Sequence, residues 1–375
     1  MNETKDFALV RRPSSAVEKA APGAERILSG MVSDTLDLAR KTASEEIRAA
    51  DTQLEGWYRM GEKYWDGLGV PQDCAEAAKW WRKAAEQNYS KAQYDLGLCY
   101  YTGEGIEKNY AAAVQWWRRA AEQNNADAQF NLGVCHDMGQ GVEKNHIEMV
   151  KWYRKAAEQN NAKAQTNLGY CYSKGHGVAK NDVEAAKWWR KAAEQNYAKA
   201  QGELGFCYDN GRGVAKDYVE AVKWFHKAAE QNDAEAQNNL GVCYKNGRGV
   251  AKNEVQAVRW YRKAAEQNLA WAQNNLGFCY AQGQGVAKDE VEAVKWYRKA
   301  AKQDYATAQY RLGVCYENGQ GVPKVFPVAY KLYKLAAEQN YEDAAEALEQ
   351  IATRMTAVEI AEGERRYREF QLAKK

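Results

Sequence analysis

Residues 240–250 read LGVCYKNGRGV, and close variants of this stretch return every 36 residues along the chain. Its cysteine marks the period, at positions 99, 135, 171, 207, 243, 279 and 315. A period of this length, with one helix-turn-helix pattern per unit, is typical of α-solenoids, whose units bury their apolar faces only against their neighbours. The sequence therefore predicts an all-α repeat fold whose function lies on a long surface.

Eight units follow from this period without insertion or deletion: 55–90, 91–126, 127–162, 163–198, 199–234, 235–270, 271–306 and 307–342. In the fourth unit, Ala164, Leu168 and Cys171 fall at i, i+4 and i+7, which predicts a first helix with one apolar stripe. Gly175 is expected to end that helix in the left-handed conformation, and Gly177 to let the chain turn back.

The second helix of each unit is predicted to begin at a capping box, in which the cap residue and the residue three positions later satisfy each other's backbone groups. The pairs are Asn181 with Glu184, Asp217 with Glu220, Asn253 with Gln256, and Asp289 with Glu292. Small residues and tryptophans further along are expected to form the packing face, which would place most of the 13 tryptophans in the core. Arg190 and Lys191 are expected to pair with Glu194 on a solvated face.

Composition and charge exclude several classes of protein. The chain is 45% hydrophobic and 27% charged, and no run approaches the roughly 18 apolar residues of a membrane span. A net charge of +3 over 375 residues indicates no nucleic-acid and no membrane partner. The first fifteen residues, MNETKDFALVRRPSS, lack the apolar core of a secretory signal, so a cytoplasmic location is expected.

The cysteines and histidines predict neither a metal site nor catalysis. Neighbouring repeats stack at roughly 8–10 Å, too far for a disulfide, so the seven periodic thiols are expected to be buried, reduced and unpaired. Cys74 differs, because the start of a helix can lower a thiol pKa. The four histidines occupy four different repeat positions. We therefore expect no enzyme, no metal and no cofactor.

The quoted residues resemble the Sel-one-like repeat (SLR) family, a relative of the tetratricopeptide repeats. The family pattern is A-x-x-x-L-G-x-x-Y-x-x-G-x-G-V, then A-x-x-W-Y-x-K-A-A, and the match covers about three quarters of the chain. The resemblance implies a right-handed α/α superhelical solenoid, here of eight 36-residue repeats, and an adaptor that assembles protein complexes. A secreted branch, with two cysteines per repeat, is associated with β-lactam binding. This chain has one cysteine per repeat and lacks Ser-x-x-Lys.

Both ends lie outside the period and are predicted to be helical caps. Residues 1–54 contain a predicted amphipathic helix, and they are expected either to cover the first repeat or to dock or self-associate through 24–41. Residues 343–375 are expected to close the stack, with a charged helix that begins at Thr356 and Glu359 as its polar end.

Alignment with the tetratricopeptide pattern places one side of each first helix on a concave groove. One groove position reads Asp95, Asn131, Asn167, Glu203, Asn239, Asn275 and Arg311, and flanking positions supply Tyr94, Phe130, Tyr170, Phe206 and Phe278. Because an amide both donates and accepts hydrogen bonds, a row of asparagines could hold the backbone of an extended peptide. The alternative is that these polar residues only solvate the helix face or bond neighbouring helices.

The sequence therefore indicates a non-enzymatic bacterial scaffold or adaptor that binds a peptide or protein segment in its groove. One alternative is a structural protein that dimerises or docks through its N-terminal helical segment. A further alternative is an enzyme regulator or a β-lactam-binding hydrolase.

Overall fold

The computed structural model describes residues 40–42 and 48–373, in which the regular secondary structure is entirely helical. Residues 40–42 are helical, and the longer helices are α1 (48–66), α2 (Cys74–Glu86), α3 (Ser90–Thr102), α4 (Tyr110–Glu122), α5 (Ala126–Met138), α6 (His146–Glu158), α7 (Ala162–Lys174), α8 (Asp182–Glu194), α9 (Ala198–Asn210), α10 (Tyr218–Glu230), α11 (Ala234–Asn246), α12 (Glu254–Glu266), α13 (Ala270–Gln282), α14 (Glu290–Lys302), α15 (Ala306–Asn318), α16 (Phe326–Glu338), α17 (Glu342–Ala352) and α18 (Ala357–Leu372). Helices α1–α3 belong to one compact unit, Met1–Lys108, and α4–α18 to a second, Asn109–Lys375.

Eight helix pairs, α1/α2 through α15/α16, correspond to the eight repeats predicted from the sequence. Within Asn109–Lys375, each helix from α4 to α16 packs against the next helix along the chain. The predicted apolar stripe forms the core of the fourth repeat, because Ala164 and Leu168 are fully buried and Cys171 is 5% exposed. From α8, Trp189 is 4% exposed and its indole N–H donates to the carbonyl of Thr166 on α7 at 3.1 Å. The predicted all-α repeat fold is confirmed.

The two glycines between the helices of a repeat have different roles. Gly175 ends α7 with φ at 73°, and its N–H donates to the carbonyl of Cys171 over 2.8 Å, as predicted. Gly177 also has a positive φ, of 68°, and a Cβ at this position would lie 2.0 Å from the carbonyl oxygen of His146. The second glycine therefore allows close contact with the start of α6, besides turning the chain.

Of the two hydrogen bonds in each capping box predicted for the second helices, one is present and the reciprocal one is not. The Asn181 side chain accepts from the N–H of Glu184 at the start of α8, as expected. The N–H of Asn181, however, donates to the carbonyl of Tyr172 at 2.9 Å, and Glu184 instead pairs with Lys187 at 2.6 Å. The N–H that Glu184 would accept from is thus already bonded to α7. A complete capping box forms where α18 begins, between Thr356 and Glu359.

At least eight of the 13 tryptophans lie in the core or pack against it, as expected, but only five are buried. Five are buried, Trp81, Trp117, Trp152, Trp189 and Trp296; seven are half-buried, Trp57, Trp65, Trp80, Trp116, Trp188, Trp224 and Trp260; Trp271 is 39% exposed. Trp188 is half-buried, packs against the core cluster that contains Leu168 and Cys171, and has the ammonium of Lys191 at 4.3 Å from its ring centroid. Arg190 donates to the hydroxyl of Tyr208 at 2.6 Å. These two cations therefore contact aromatic rings rather than Glu194.

The seven periodic cysteines are buried and unpaired, as predicted. Burial raises the pKa of the Cys135 thiol to about 12 and that of Cys279 to about 11. Cys74 is half-buried at the first position of α2. The periodic cysteines thus act as small apolar core residues.

Helices α17 and α18 both pack on α16 at the C-terminal end of the second unit. Glu364 of α18 accepts from the hydroxyl of Tyr330 at 2.9 Å and pairs with Lys334 at 2.6 Å. Gly363 is buried at this contact, and a Cβ there would lie 2.8 Å from the Tyr330 ring.

At the N-terminal end, residues 1–39 lie outside the described residues, and so does most of the predicted docking segment 24–41. Within the described part, no helix is both long and apolar enough to span a membrane.

Candidate functional site

The twelve residues predicted for the groove lie on the first helices of the repeats, α3, α5, α7, α9, α11, α13 and α15. The seven positions of the asparagine series are all half-buried, from Asp95 to Arg311. They share one side of their helices, since they recur at one repeat position. Within Asn109–Lys375, these positions and their flanking aromatic residues on α5, α7, α9, α11, α13 and α15 form one surface, the first-helix face.

Several polar residues of the first-helix face are bonded to neighbouring helices. Asn275 donates to the Asn238 side chain over 3.0 Å, from α13 to α11. Arg311 donates to the Asn274 side chain at 3.4 Å, from α15 to α13. Asn167 hydrogen-bonds to the hydroxyl of Tyr153. At these places the amides hold protein groups together, which is the alternative interpretation of the asparagine series.

The flanking aromatic residues are covered to different degrees. Phe130 packs against Tyr153, with ring centroids 5.7 Å apart. Phe278 lies between the cations of Lys245 and Arg311, at 4.2 and 4.7 Å from its ring centroid. Phe206 is 40% exposed. The face is therefore most open around α9.

A cavity of about 660 Å³ opens at this place, between α7, α9, α11 and the start of α13. Its lining residues are Tyr170, Lys199, Gly202, Glu203, Phe206, Asp233, Ala234, Glu235, Ala236, Asn239 and Leu269. Four of them, Tyr170, Glu203, Phe206 and Asn239, were predicted from the sequence. The structure thus brings together predicted groove residues from three consecutive repeats around one cavity.

Gly202 explains why the cavity is found here. The other repeats carry a side chain at this position: Tyr94, Phe130, Thr166, Asn238, Asn274 and Tyr310. A Cβ on Gly202 would meet only the Oδ1 of Asp233, at 3.8 Å. The missing side chain leaves open the space that a tyrosine, phenylalanine or asparagine fills elsewhere. The role of Gly202 was not foreseen from the sequence, although it is the one glycine in a row of larger residues.

The charges around the cavity are mainly negative. The Tyr170 hydroxyl donates to Glu203 at 2.6 Å, which leaves the second carboxylate oxygen for another donor. Burial raises the pKa of Glu203, and the nearby carboxylates of Glu235 and Asp233 raise it further, against the lowering effects of Tyr170 and Lys199. Three carboxylates therefore share the neighbourhood of one ammonium group.

The histidines are less separated than the sequence suggested. The rings of His146 and His176 lie 5.7 Å apart, because the loop after α7 closely approaches the start of α6. His146 also lies 3.7 Å from the carboxylate of Asp137. Among the described residues, no group of three or more His, Cys, Asp or Glu side chains could hold a metal ion.

A sequence model of the Sel1 repeat matches eight consecutive segments of the chain: 58–89, 90–125, 126–161, 162–197, 198–233, 234–269, 272–305 and 306–341. The chain belongs to the Sel1 repeat family. The resemblance to Sel-one-like repeats is thereby confirmed.

Two solved structures illustrate the relationship. A Sel1 repeat protein from Oxalobacter formigenes is 37% identical, over 65% of this chain and 96% of its own, with a TM-score of 0.60. A protective antigen present in uropathogenic Escherichia coli strains, displaying an SLR fold, is 31% identical, over 86% of this chain and 85% of its own, with a TM-score of 0.46. No curated protein matches the chain. Sel1 repeat proteins are generally scaffolds for protein–protein interaction, and most are non-catalytic.

Proposed function

We propose that this Sel1 repeat protein is a non-enzymatic bacterial adaptor that works in the cytoplasm and binds a peptide or protein segment on its first-helix face. The observation that carries the proposal is the cavity at α9. It interrupts a face that side chains otherwise fill, and four groove residues predicted from the sequence line it.

The lining suits an extended peptide. The half-buried amide of Asn239 offers a donor and an acceptor to a peptide backbone. The exposed ring of Phe206 offers an apolar contact beside it. Asn131 on α5, two repeats before Phe206, is also half-buried and extends the polar row toward the start of the unit. Such an arrangement favours backbone recognition with one anchored side chain.

The test is affinity purification with crosslinking from the native cell, followed by binding measurements on the captured partner. The double variant Phe206→Ala, Asn239→Ala removes one apolar anchor and one hydrogen-bonding amide. We expect a loss of about 3 kcal/mol, or about a hundredfold in affinity. Asn167 and Asn275 are less suitable for substitution, because both are bonded within the protein.

The matched control is Asn246→Ala, which changes an exposed amide at the C-terminal end of α11. It should leave affinity unchanged, and circular dichroism should show intact helicity in both proteins. Unchanged affinity in the folded double variant would contradict the proposal. The binding site would then be sought in the N-terminal segment, in agreement with the docking alternative.

A further inference from the structure

The cavity at α9 combines open space, aromatic walls and an excess of carboxylates, and it lies beside a glycine where the other repeats carry larger residues. Tyr170 and Phe206 supply the aromatic groups, and Glu203, Asp233 and Glu235 supply the carboxylates. The Oδ1 of Asp233 caps α11 by accepting from Ala236 at 2.8 Å, so its second oxygen is available. We propose that this cavity binds an arginine side chain of the segment held on the first-helix face.

Charge complementarity supports a cationic occupant. Glu203 lies close enough to Asp233 and Glu235 for each of them to disfavour its ionisation. The single cation of the lining, Lys199, has its ammonium 5.4 Å from the centroid of the Tyr170 ring. A second positive charge would reduce the repulsion among the three carboxylates.

The shape and chemistry of the cavity favour arginine among the cations. A guanidinium is planar, presents donors in a fork that matches a carboxylate, and stacks on aromatic rings. Glu203 offers the oxygen that Tyr170 leaves unused. Phe206 is 40% exposed, and its ring already has one guanidinium, that of Arg212, at 6.0 Å from the centroid, so the ring is a surface that a guanidinium contacts in this chain. A volume of about 660 Å³ leaves room for the side chain and the adjoining peptide.

Two features of the sequence show that the site is specific to this repeat. Position 202 is glycine, where the two following repeats carry Asn238 and Asn274. Position 203 is glutamate, where those repeats carry Asn239 and Asn275. The glycine at position 202 leaves the space open, and the glutamate at position 203 supplies a carboxylate within it.

The inference rests on the proposed function, and a displayed library of random 12-residue peptides can test both. Peptides are selected on the full chain, and each is then synthesised with arginine or with citrulline, its neutral counterpart. We expect selected peptides to share an arginine and its replacement by citrulline to weaken binding at least tenfold. The Glu203→Gln variant should bind the arginine peptide at least tenfold more weakly than the unchanged chain does. On this variant, replacing the arginine by citrulline should weaken binding only slightly further.

One further variant tests whether the open space of the cavity is needed, and another serves as the control for the loss of a carboxylate. Gly202→Asn introduces the residue of the next repeat and should abolish the preference for arginine by filling the cavity. Asp127→Asn is the matched control, because Asp127 occupies the position of Glu235 three repeats earlier, away from the cavity. It should leave the preference unchanged. Circular dichroism verifies that each variant is folded.

The outcomes distinguish this inference from the proposed function. If selected peptides lack arginine, or bind equally well with citrulline, the inference is wrong. The proposed function survives that result if the same peptides lose affinity on the Phe206→Ala, Asn239→Ala variant. If no selected peptide depends on Phe206, Asn239 or Glu203, both proposals fail.

Discussion

A buried glutamine in each of the second to eighth repeats gives the sharpest stability prediction. Gln201 is 1% exposed, and its amide donates to the carbonyl of Ala193 at 3.2 Å and to the Asn196 side chain at 3.0 Å. Ala193 and Asn196 belong to the preceding repeat, whereas the Gln201 oxygen accepts from Gln231, at the end of α10 in its own repeat, at 2.7 Å. The same arrangement recurs at Gln237 and Gln273. These residues form a row of hydrogen bonds that joins consecutive repeats.

Gln201→Met keeps the length of the side chain but removes all three hydrogen bonds. At about 1 kcal/mol for each bond, the local free energy of unfolding should fall by about 3 kcal/mol. The carbonyl of Ala193 keeps a second partner, the N–H of Asn196, so no larger penalty from an orphaned acceptor is expected. Gln115→Met is the matched control, because Gln115 is exposed in the middle of α4.

The assay is hydrogen exchange of the α8 and α9 amides, together with the urea midpoint measured by circular dichroism. Exchange reports local opening, which suits a repeat array whose units need not unfold together. We expect exchange in α8 and α9 to accelerate about a hundredfold in Gln201→Met, and stability to stay within about 0.5 kcal/mol in Gln115→Met. If the two variants cannot be distinguished, the glutamine row does not stabilise the repeats.

Three other outcomes are expected. Because burial raises their pKa to about 11 or 12, the seven periodic thiols should stay protonated and resist labelling at pH 8 until the protein is unfolded; labelling of all seven in the folded state would contradict this. Gly177→Ala should lower the urea midpoint more than Gly175→Ala, because both strain a positive φ but a Cβ would clash only at Gly177, at 2.0 Å from the carbonyl oxygen of His146, whereas at Gly175 the nearest atom is 3.4 Å away; equal effects would remove the packing role. Removing residues 356–375 should promote aggregation, measured by light scattering, more than deleting one internal 36-residue unit, and the reverse order would show that α18 is not the polar cap.

The fold could be predicted because the same sequence pattern recurs many times along the chain. Leu168 and Cys171 show the apolar stripe once, and six further copies of the pattern repeat it at the same spacing. Which tryptophan of an adjacent pair is buried could not be predicted in the same way. Trp188 and Trp189 are adjacent and equally apolar, and only the position of α7 decides which of the two is buried. The capping boxes failed for a similar reason, since the carbonyl of Tyr172 takes the N–H of Asn181.

The candidate site could be predicted in position but not in detail. Alignment with a related repeat placed Tyr170, Glu203, Phe206 and Asn239 on one face, and all four line the cavity. The cavity itself depends on the absence of a side chain at Gly202. That signal was present in the sequence, as one glycine in a series of larger residues, but its consequence depends on how closely α9 and α11 approach.

The central claim is that the first-helix face binds a protein segment, and site-specific photo-crosslinking tests it most directly. Benzoylphenylalanine replaces Phe206 in one protein and Val219 in another, where Val219 is 52% exposed on α10. After irradiation in the native cell, we predict a polypeptide adduct from position 206 and none from position 219. Adducts from position 219 alone, or none from position 206, would contradict the claim.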